Sequence, residues 1–255
     1  MNPHPTEQNT EVVISIIAPV YNESEVIEEF HRRLDSALQN SEGRFEIIYV
    51  NDGSTDDSLF KLQALREQDP RISIIDLSRN FGKEIALTAG LDHAAGAAAI
   101  VIDTDLQDPP ELIPDLIGEW KQGYEVVYEK RVSREGETFF KKATAHAFYR
   151  VIQKISQVKI PEDTGDFRLI GGRALASLRT IRERNRFMKG LFTWIGYSQK
   201  AVLYQRDPRY AGTKKWNYWK LWNFALEGIT SFTSFPLKVA TYIGLAVAVV
   251  AFIYA

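Results

Sequence analysis

Along the first half of the chain, apolar runs rich in β-branched residues alternate with stretches of helical period. Strands are expected at Val12–Ala18, Phe45–Val50, Ile72–Leu77, Ala98–Ile102 and Glu125–Tyr128. Helices are expected between them, at Glu23–Gln39, Ser58–Gln68, Lys83–Ala95 and Pro110–Gln122. Strand and helix in alternation indicate a mostly parallel α/β sheet covered on both faces, which is why these strands are apolar throughout. Pro109–Pro110 followed by Glu111 makes a good helix start, since proline fits the first turn and an acid complements the dipole.

Beyond Arg131 the pattern is less regular. Phe139–Ser156 reads as an amphipathic helix, with Phe140, Ala143, Ala147, Phe148, Val151 and Ile155 on one broad apolar face. A short helix is expected at Phe187–Ile195 and a strand at Ala201–Gln205. In Lys215–Phe224, Trp216, Tyr218, Trp219, Trp222 and Phe224 are interleaved with Lys215 and Lys220. That mixture suits a membrane interface, where amphipathic rings and snorkelling lysines settle. Val239–Ala255 then carries no charge, which allows about 25 Å of helix, slightly short of a bilayer core. The expected organisation is a polar tail at 1–11, a catalytic α/β domain at 12–210, interfacial helices at 211–235 and a transmembrane segment at 236–255. That segment is expected to continue in a longer parent protein.

Charge sharpens this picture. The net charge is only -2, but Met1–Gly118 carries 8 Lys/Arg against 22 Asp/Glu, and Glu119–Lys220 carries 22 against 10. A reversal of that size points the second half at something anionic. The apolar tail favours phospholipid and phosphate over nucleic acid. Without cysteine, disulfides and thiolate metal sites are excluded, and the four histidines lack ligand spacing. The polar start MNPHPTEQNTE is not a signal peptide, and Lys214, Lys215, Lys220 and Lys238 flank the apolar run. The positive-inside tendency therefore sets the domain on the cytoplasmic face of a membrane.

Ligands of open parallel sheets gather at the carboxyl ends of the strands. Three polar clusters follow expected strands: Pro19–Val20–Tyr21–Asn22–Glu23, Asn51–Asp52–Gly53–Ser54, and Asp103–Thr104–Asp105 with Leu106–Gln107–Asp108. In an extended segment alternate side chains share one side, so Asp103 and Asp105 can face a common point. Such hard oxygen donors suit Mg²⁺ or Mn²⁺ and the diphosphate these ions screen. Asp52 can accept hydrogen bonds from a nucleobase or ribose, while Gly53 permits close backbone approach.

The segments PVYNE, VNDGSTDDS, SRNFGKEIALTAGLDHA and IDTDLQDPPE resemble inverting family 2 glycosyltransferases of the GT-A fold, specifically the polyprenyl-phosphate sugar transferases. The likeness runs from about Ile14 to Phe235 and includes the dolichyl-phosphate mannose synthase type. It implies that Pro19, Tyr21, Glu23 and Asp52 line the nucleotide pocket, with Asn80 and Lys83 near the donor. It makes Asp103 and Asp105 the metal residues, with Asp105 the first choice as direct ligand. DTGDFRL supplies Asp163, Asp166 and Arg168 near the sugar and acceptor phosphate. Asp166 is the candidate base and Asp163 the runner-up. RYAGTKKW resembles a family element at Arg209, Gly212, Lys215 and Trp216, but Lys214 stands where a hydroxyl residue is usual.

On this reading a hexose, glucose first, moves from a nucleotide sugar to polyprenyl phosphate and leaves β-linked. UDP-glucose is the first-choice donor, ahead of GDP-mannose and an aminoarabinose-type donor. Arg131, Arg134, Arg168, Arg209 and Lys215 screen the acceptor phosphate. A nicotinamide oxidoreductase is disfavoured because no G-x-G-x-x-G follows the first strand, and a processive polymerase because Q-x-x-R-W is absent. A non-catalytic membrane scaffold and a homo-oligomer stay open.

Overall fold

A computed structural model of the chain describes residues 13–131, 164–183, 188–204 and 235–254. The expected helix Phe139–Ser156 and the aromatic segment Lys215–Phe224 lie outside the described residues. Two compact units divide the chain: Met1–Val132 with Asp163–Arg182 and Tyr197–Thr213, and Ser133–Glu162 with Glu183–Gly196 and Lys214–Ala255.

The first unit is built on a seven-stranded sheet of β1 (Val13–Val20), β2 (Arg44–Asn51), β3 (Ile72–Asp76), β4 (Ala98–Val101), β5 (Val126–Arg131), β6 (Thr164–Gly171) and β7 (Gln199–Tyr204). Their spatial order is β3-β2-β1-β4-β6-β5-β7. The first four strands are parallel, as the alternating pattern requires. β6 runs antiparallel to both β4 and β5, and β7 lies parallel to β5. β6 was not anticipated as a strand. Its sequence TGDFRLIG begins polar, and Phe167, Arg168, Leu169 and Ile170 are all buried, so no period-2 pattern marks it.

Helices α1 (Ile27–Gln39), α2 (Ser58–Gln68), α3 (Lys83–His93), α4 (Ile113–Lys121) and α5 (Gly172–Thr180) belong to the same unit. A 3₁₀ turn at Pro110–Leu112 precedes α4 and takes the residues expected to start that helix. α1 buries Ile27, Phe30, Leu34, Ala37 and Leu38, a three–four spacing that lays one stripe on the sheet. Those side chains join Ile16, Ile47, Tyr49, Leu62, Ile100, Phe167 and Leu169 in the core.

In the second unit, α6 (Met188–Trp194) buries Met188, Leu191 and Phe192. α7 (Phe235–Tyr254) is a 20-residue helix. Among the described residues no helix is long and apolar enough to cross a membrane, so the transmembrane expectation for 236–255 is not met. Val239–Tyr254 of α7 is uncharged, about 24 Å at 1.5 Å per residue against a bilayer core of about 30 Å. The apolar side chains of α7 are nonetheless exposed, among them Leu237, Ile243, Leu245, Phe252 and Ile253.

Candidate active site

The sheet's register builds the site. β1 ends beside β2, with Val20 opposite Asn51, and Ile17 pairs with Val101 of β4. On the other side of β4, Val101 pairs with Arg168 of the antiparallel β6. Two residues further along that register, Asp103 leaving β4 stands opposite Asp166 entering β6. One rim therefore carries the carboxyl ends of four parallel strands and the start of one reversed strand.

Lys83, the first residue of α3, reaches this rim. Its ammonium donates to Asp103 Oδ2 at 2.6 Å and also to Asp166 Oδ2. All three side chains are partly exposed, Lys83 most and Asp166 least. Burial pushes the Asp103 carboxyl up to about 6, with Lys83 pulling it down and Asp166 adding to the rise. Burial also opposes the Lys83 charge, but the two carboxylates outweigh it and hold its pKa above the usual lysine range.

Arg168 lies under this triad and is buried. Its guanidinium donates to the carbonyl of Gly165 at 2.7 Å and to that of Asp166 at 3.2 Å, so it clamps the strand that presents Asp166. Burial lowers the Arg168 pKa, while Asp166 and Glu129 support its charge. Glu129 and Asp108 are buried too, and the Tyr204 hydroxyl donates to Asp108 Oδ1 at 3.0 Å. A side chain at Gly165 would collide with Glu129 Oε1 and come within 3.4 Å of Asp108 Oδ2. Gly165→Ala is therefore expected to destabilise the protein by about 1–3 kcal/mol, read as a lower urea midpoint at unchanged slope. An unchanged midpoint would show that this layer yields freely.

The loops after β1 and β2 are tied together. Ser54 Oγ accepts the amide of Asn22, Asn22 Oδ1 accepts that of Thr55, and Ser58 Oγ accepts that of Glu23. Asp56 accepts the amides of Ser24 and Ser58. Asn22 takes a left-handed φ of 50°, which asparagine tolerates. Thr104 Oγ1 reaches the carbonyl of Pro19 at 3.3 Å, joining the β1 and β4 ends. Buried Leu106 has a φ of 58°, a strained conformation of the kind that collects at functional sites. Asp105 stays partly exposed, with its Oδ1 accepting the Gln107 amide at 3.1 Å.

The structure thus brings Lys83, Asp103 and Asp166 into contact, with Arg168 behind them. Pro19, Tyr21, Glu23 and Asp105 lie at the ends of β1 and β4, and Tyr21 and Asn80 are exposed. Asp52 is buried, and both of its carboxylate oxygens accept main-chain amides from the loop before α3. Arg131 closes β5. Arg134, Asp163, Arg209, Gly212, Lys214, Lys215 and Trp216 lie outside the described residues. Sequence reasoning missed Glu129 and Tyr204, which sit in strands where a lone polar residue reads as solvent-facing. A cavity of about 500 Å³ lined by His31, Asp35, Asp69 and Arg71 lies away from this rim, near the entry to β3.

Residues 15–178 match the family model described as glycosyl transferase family 2. The chain belongs to that family. This glycosyltransferase is 51% identical over 244 residues to an uncharacterized glycosyltransferase of Synechocystis sp., covering 96% of this chain and 77% of the relative. It is 48% identical over 241 residues to a prophage bactoprenol glucosyl transferase homolog of Escherichia coli, with coverages of 94% and 79%. The bactoprenol glucosyl transferase of Shigella phage SfV is 47% identical, with coverages of 94% and 78%. Among solved structures, glucosyl-3-phosphoglycerate synthase from Mycobacterium tuberculosis, bound to Mn²⁺, UDP and phosphoglyceric acid, superposes with a TM-score of 0.58 at 18% identity. That match covers 86% of this chain and 76% of the synthase. At that identity the likeness establishes the fold, and it agrees with the GT-A architecture of the mostly parallel sheet.

The carboxylates also bear on a divalent ion. Among the described residues no group of three His, Cys, Asp or Glu could hold one. Asp103 and Asp105 supply two hard oxygen donors on one partly exposed rim. One or two carboxylates completed by substrate phosphates is a coordination that Mg²⁺ accepts. The donor set therefore fits an ion that arrives with a diphosphate, and not a self-sufficient protein cage.

Proposed function

We propose that this glycosyltransferase moves glucose from UDP-glucose to a polyprenyl phosphate and yields a β-linked polyprenyl-phosphate sugar. The observation that carries the reading is the Lys83–Asp103–Asp166 cluster at the carboxyl rim of the sheet, in a chain nearly half identical to bactoprenol glucosyl transferases. Asp103 and Asp105 would hold Mg²⁺ or Mn²⁺, whose chemistry is to neutralise the charge appearing on the departing diphosphate.

The acceptor phosphate has a second pKa of about 6 and is largely a dianion at neutral pH. One of its oxygens forms the new bond to the anomeric carbon as the bond from that carbon to the diphosphate breaks. The diphosphate leaves with the electron pair, and in-line displacement inverts the centre. Such a nucleophile needs little proton abstraction. Asp166, ion-paired to Lys83, then serves to orient the sugar and the ammonium instead of acting as a strong base. Lys83 supplies positive charge where the donor's phosphates must sit. Pro19, Tyr21, Glu23 and Asn80 border the nucleotide, and Arg131, Arg134, Arg209 and Lys215 screen the acceptor phosphate. Bidentate arginine suits that task. The exposed apolar surface of α7 supports attachment at the cytoplasmic face of a membrane, where a lipid acceptor is met.

The test is transfer of radiolabelled sugar from UDP-glucose or GDP-mannose to undecaprenyl phosphate in detergent, with and without a chelator. Label should enter the lipid from UDP-glucose, and chelator should remove the activity. Transfer from GDP-mannose alone would overturn the donor assignment. Absence of transfer from any nucleotide sugar would favour a non-catalytic membrane scaffold.

A further inference from the structure

The loop that leaves β4 has two sides. Asp103, Asp105 and Gln107 are partly exposed along the rim, while Thr104, Leu106 and Asp108, which alternate with them, are buried. The buried set anchors the loop from beneath. Thr104 Oγ1 donates to the Pro19 carbonyl at 3.3 Å, which ties the loop to the end of β1. Leu106 joins the apolar core. Asp108 Oδ1 accepts the hydroxyl of Tyr204 at 3.0 Å, from the last residue of β7 and 96 positions along the chain. Asp108 is 3% exposed and Tyr204 5%. The other Asp108 oxygen faces Gly165 at the start of β6, where an added side chain would come within 3.4 Å of it.

Between these anchors Leu106 holds its left-handed φ of 58°. A residue other than glycine persists there only where its surroundings over-determine the backbone. The Thr104 bond fixes the chain on one side of Leu106 and the Tyr204–Asp108 bond fixes it on the other. The second is the shorter, and its acceptor is a carboxylate, which makes it the stronger of the two. Any buried acceptor would satisfy a tyrosine hydroxyl. This acceptor, however, stands three residues after Asp105 and two after the strained Leu106. The strand register also sets Tyr204 beside Arg131, so the bond ties the loop to the paired ends of β5 and β7.

We infer that Tyr204 and Asp108 are a positioning pair whose hydrogen bond holds the Asp103–Asp108 loop in the turn that presents Asp105 at the rim. The inference rests on the proposed transferase reading, with Asp105 toward the metal, and deepens it. Both side chains are buried, so they act through the loop backbone and not on the ion itself.

The test is Mn²⁺ binding at saturating UDP, read from the paramagnetic resonance signal of the free ion, for Tyr204→Phe, Asp108→Leu and the pair. Phenylalanine deletes the hydroxyl and keeps the ring. Losing that bond to a carboxylate predicts Mn²⁺ affinity lower by about tenfold in either single variant. The double variant should stay within about threefold of each, since partners in one bond are not additive. UDP affinity measured without metal should stay within about threefold of wild type, because the loops after β1 and β2 are tied by bonds of their own. If either variant fails to fold, Asp108→Asn carries the test. Its neutral oxygen accepts the hydroxyl more weakly, and a loss of Mn²⁺ affinity of about threefold is expected.

Unchanged Mn²⁺ affinity in a folded Tyr204→Phe or Asp108→Asn protein would overturn the inference, as would losses that multiply in the double variant. So would a fall in metal-free UDP affinity by the same factor, since the bond would then be general support for the domain. Failure of the wild type to bind Mn²⁺ with UDP, or to transfer sugar, would instead sink the transferase reading itself, so the two failures are distinguishable.

Discussion

Asp105→Asn is expected to lower turnover by about a hundred- to a thousandfold while leaving the urea midpoint unchanged. The substitution removes a charge without removing volume, and Asp105 is partly exposed on a loop, not packed in the core. The bond that its Oδ1 accepts from the Gln107 amide can be kept by the asparagine oxygen. The expected loss therefore falls on stabilisation of the leaving diphosphate, where removing one electrostatic contributor costs about 3–4 kcal/mol of barrier. Excess Mn²⁺ should recover part of the rate if the residue holds the ion. Wild-type turnover by a folded Asp105→Asn protein would remove Asp105 from the metal site.

Arg168→Met carries the largest expected effect on stability. Methionine roughly preserves the stem but leaves the Gly165 and Asp166 carbonyls without their buried donor. Each orphaned acceptor costs about 1–3 kcal/mol, and loss of the positive charge that buried Glu129 faces adds to that. A total of about 3–5 kcal/mol is a large share of the 5–15 kcal/mol that holds a typical domain together. Urea denaturation followed by circular dichroism should show a markedly lower midpoint, with turnover falling because Asp166 is no longer held opposite Asp103. Were the midpoint unchanged and only acceptor KM raised, Arg168 would be a substrate contact and not a clamp.

The contrast between these two residues shows where sequence reading succeeds and where it stops. Asp105 follows an apolar strand in a DTD pattern, and short-range alternation is enough to place it on a rim. Arg168 shares its motif with Asp166, and both looked like substrate-facing groups. They lie two residues apart on one face of β6, and depth along the strand separates them: Arg168 is buried against the strand's own Gly165 and Asp166 carbonyls, while Asp166, nearer the rim, meets Lys83. A strand buried on both faces gives no alternation, so its side-chain directions are not legible beforehand.

The linked loops behaved likewise. DGSTDDS reads as a turn with helix-capping residues, and part of it is that. Yet Ser54, Asp56 and Ser58 also accept amides from Asn22, Ser24 and Glu23, more than thirty residues earlier. No spacing rule encodes partners so far apart in sequence. The tail shows the converse limit: the apolar run predicts a helix, which forms, but the run alone does not say what its exposed apolar side chains meet.

By itself, the sequence determined the alternation of strand and helix, the parallel half of the sheet and the rim on which Asp52, Asp103 and Asp105 collect. Those features depend on period and on residues within a turn or two of one another. Only the tertiary structure decided that β6 runs backward between β4 and β5. It alone set Asp166 opposite Asp103 with Lys83 between them, and turned the Asp52 carboxylate onto the α3 loop. Those facts depend on register between segments distant in the chain, where one residue of slip moves a side chain to the opposite face.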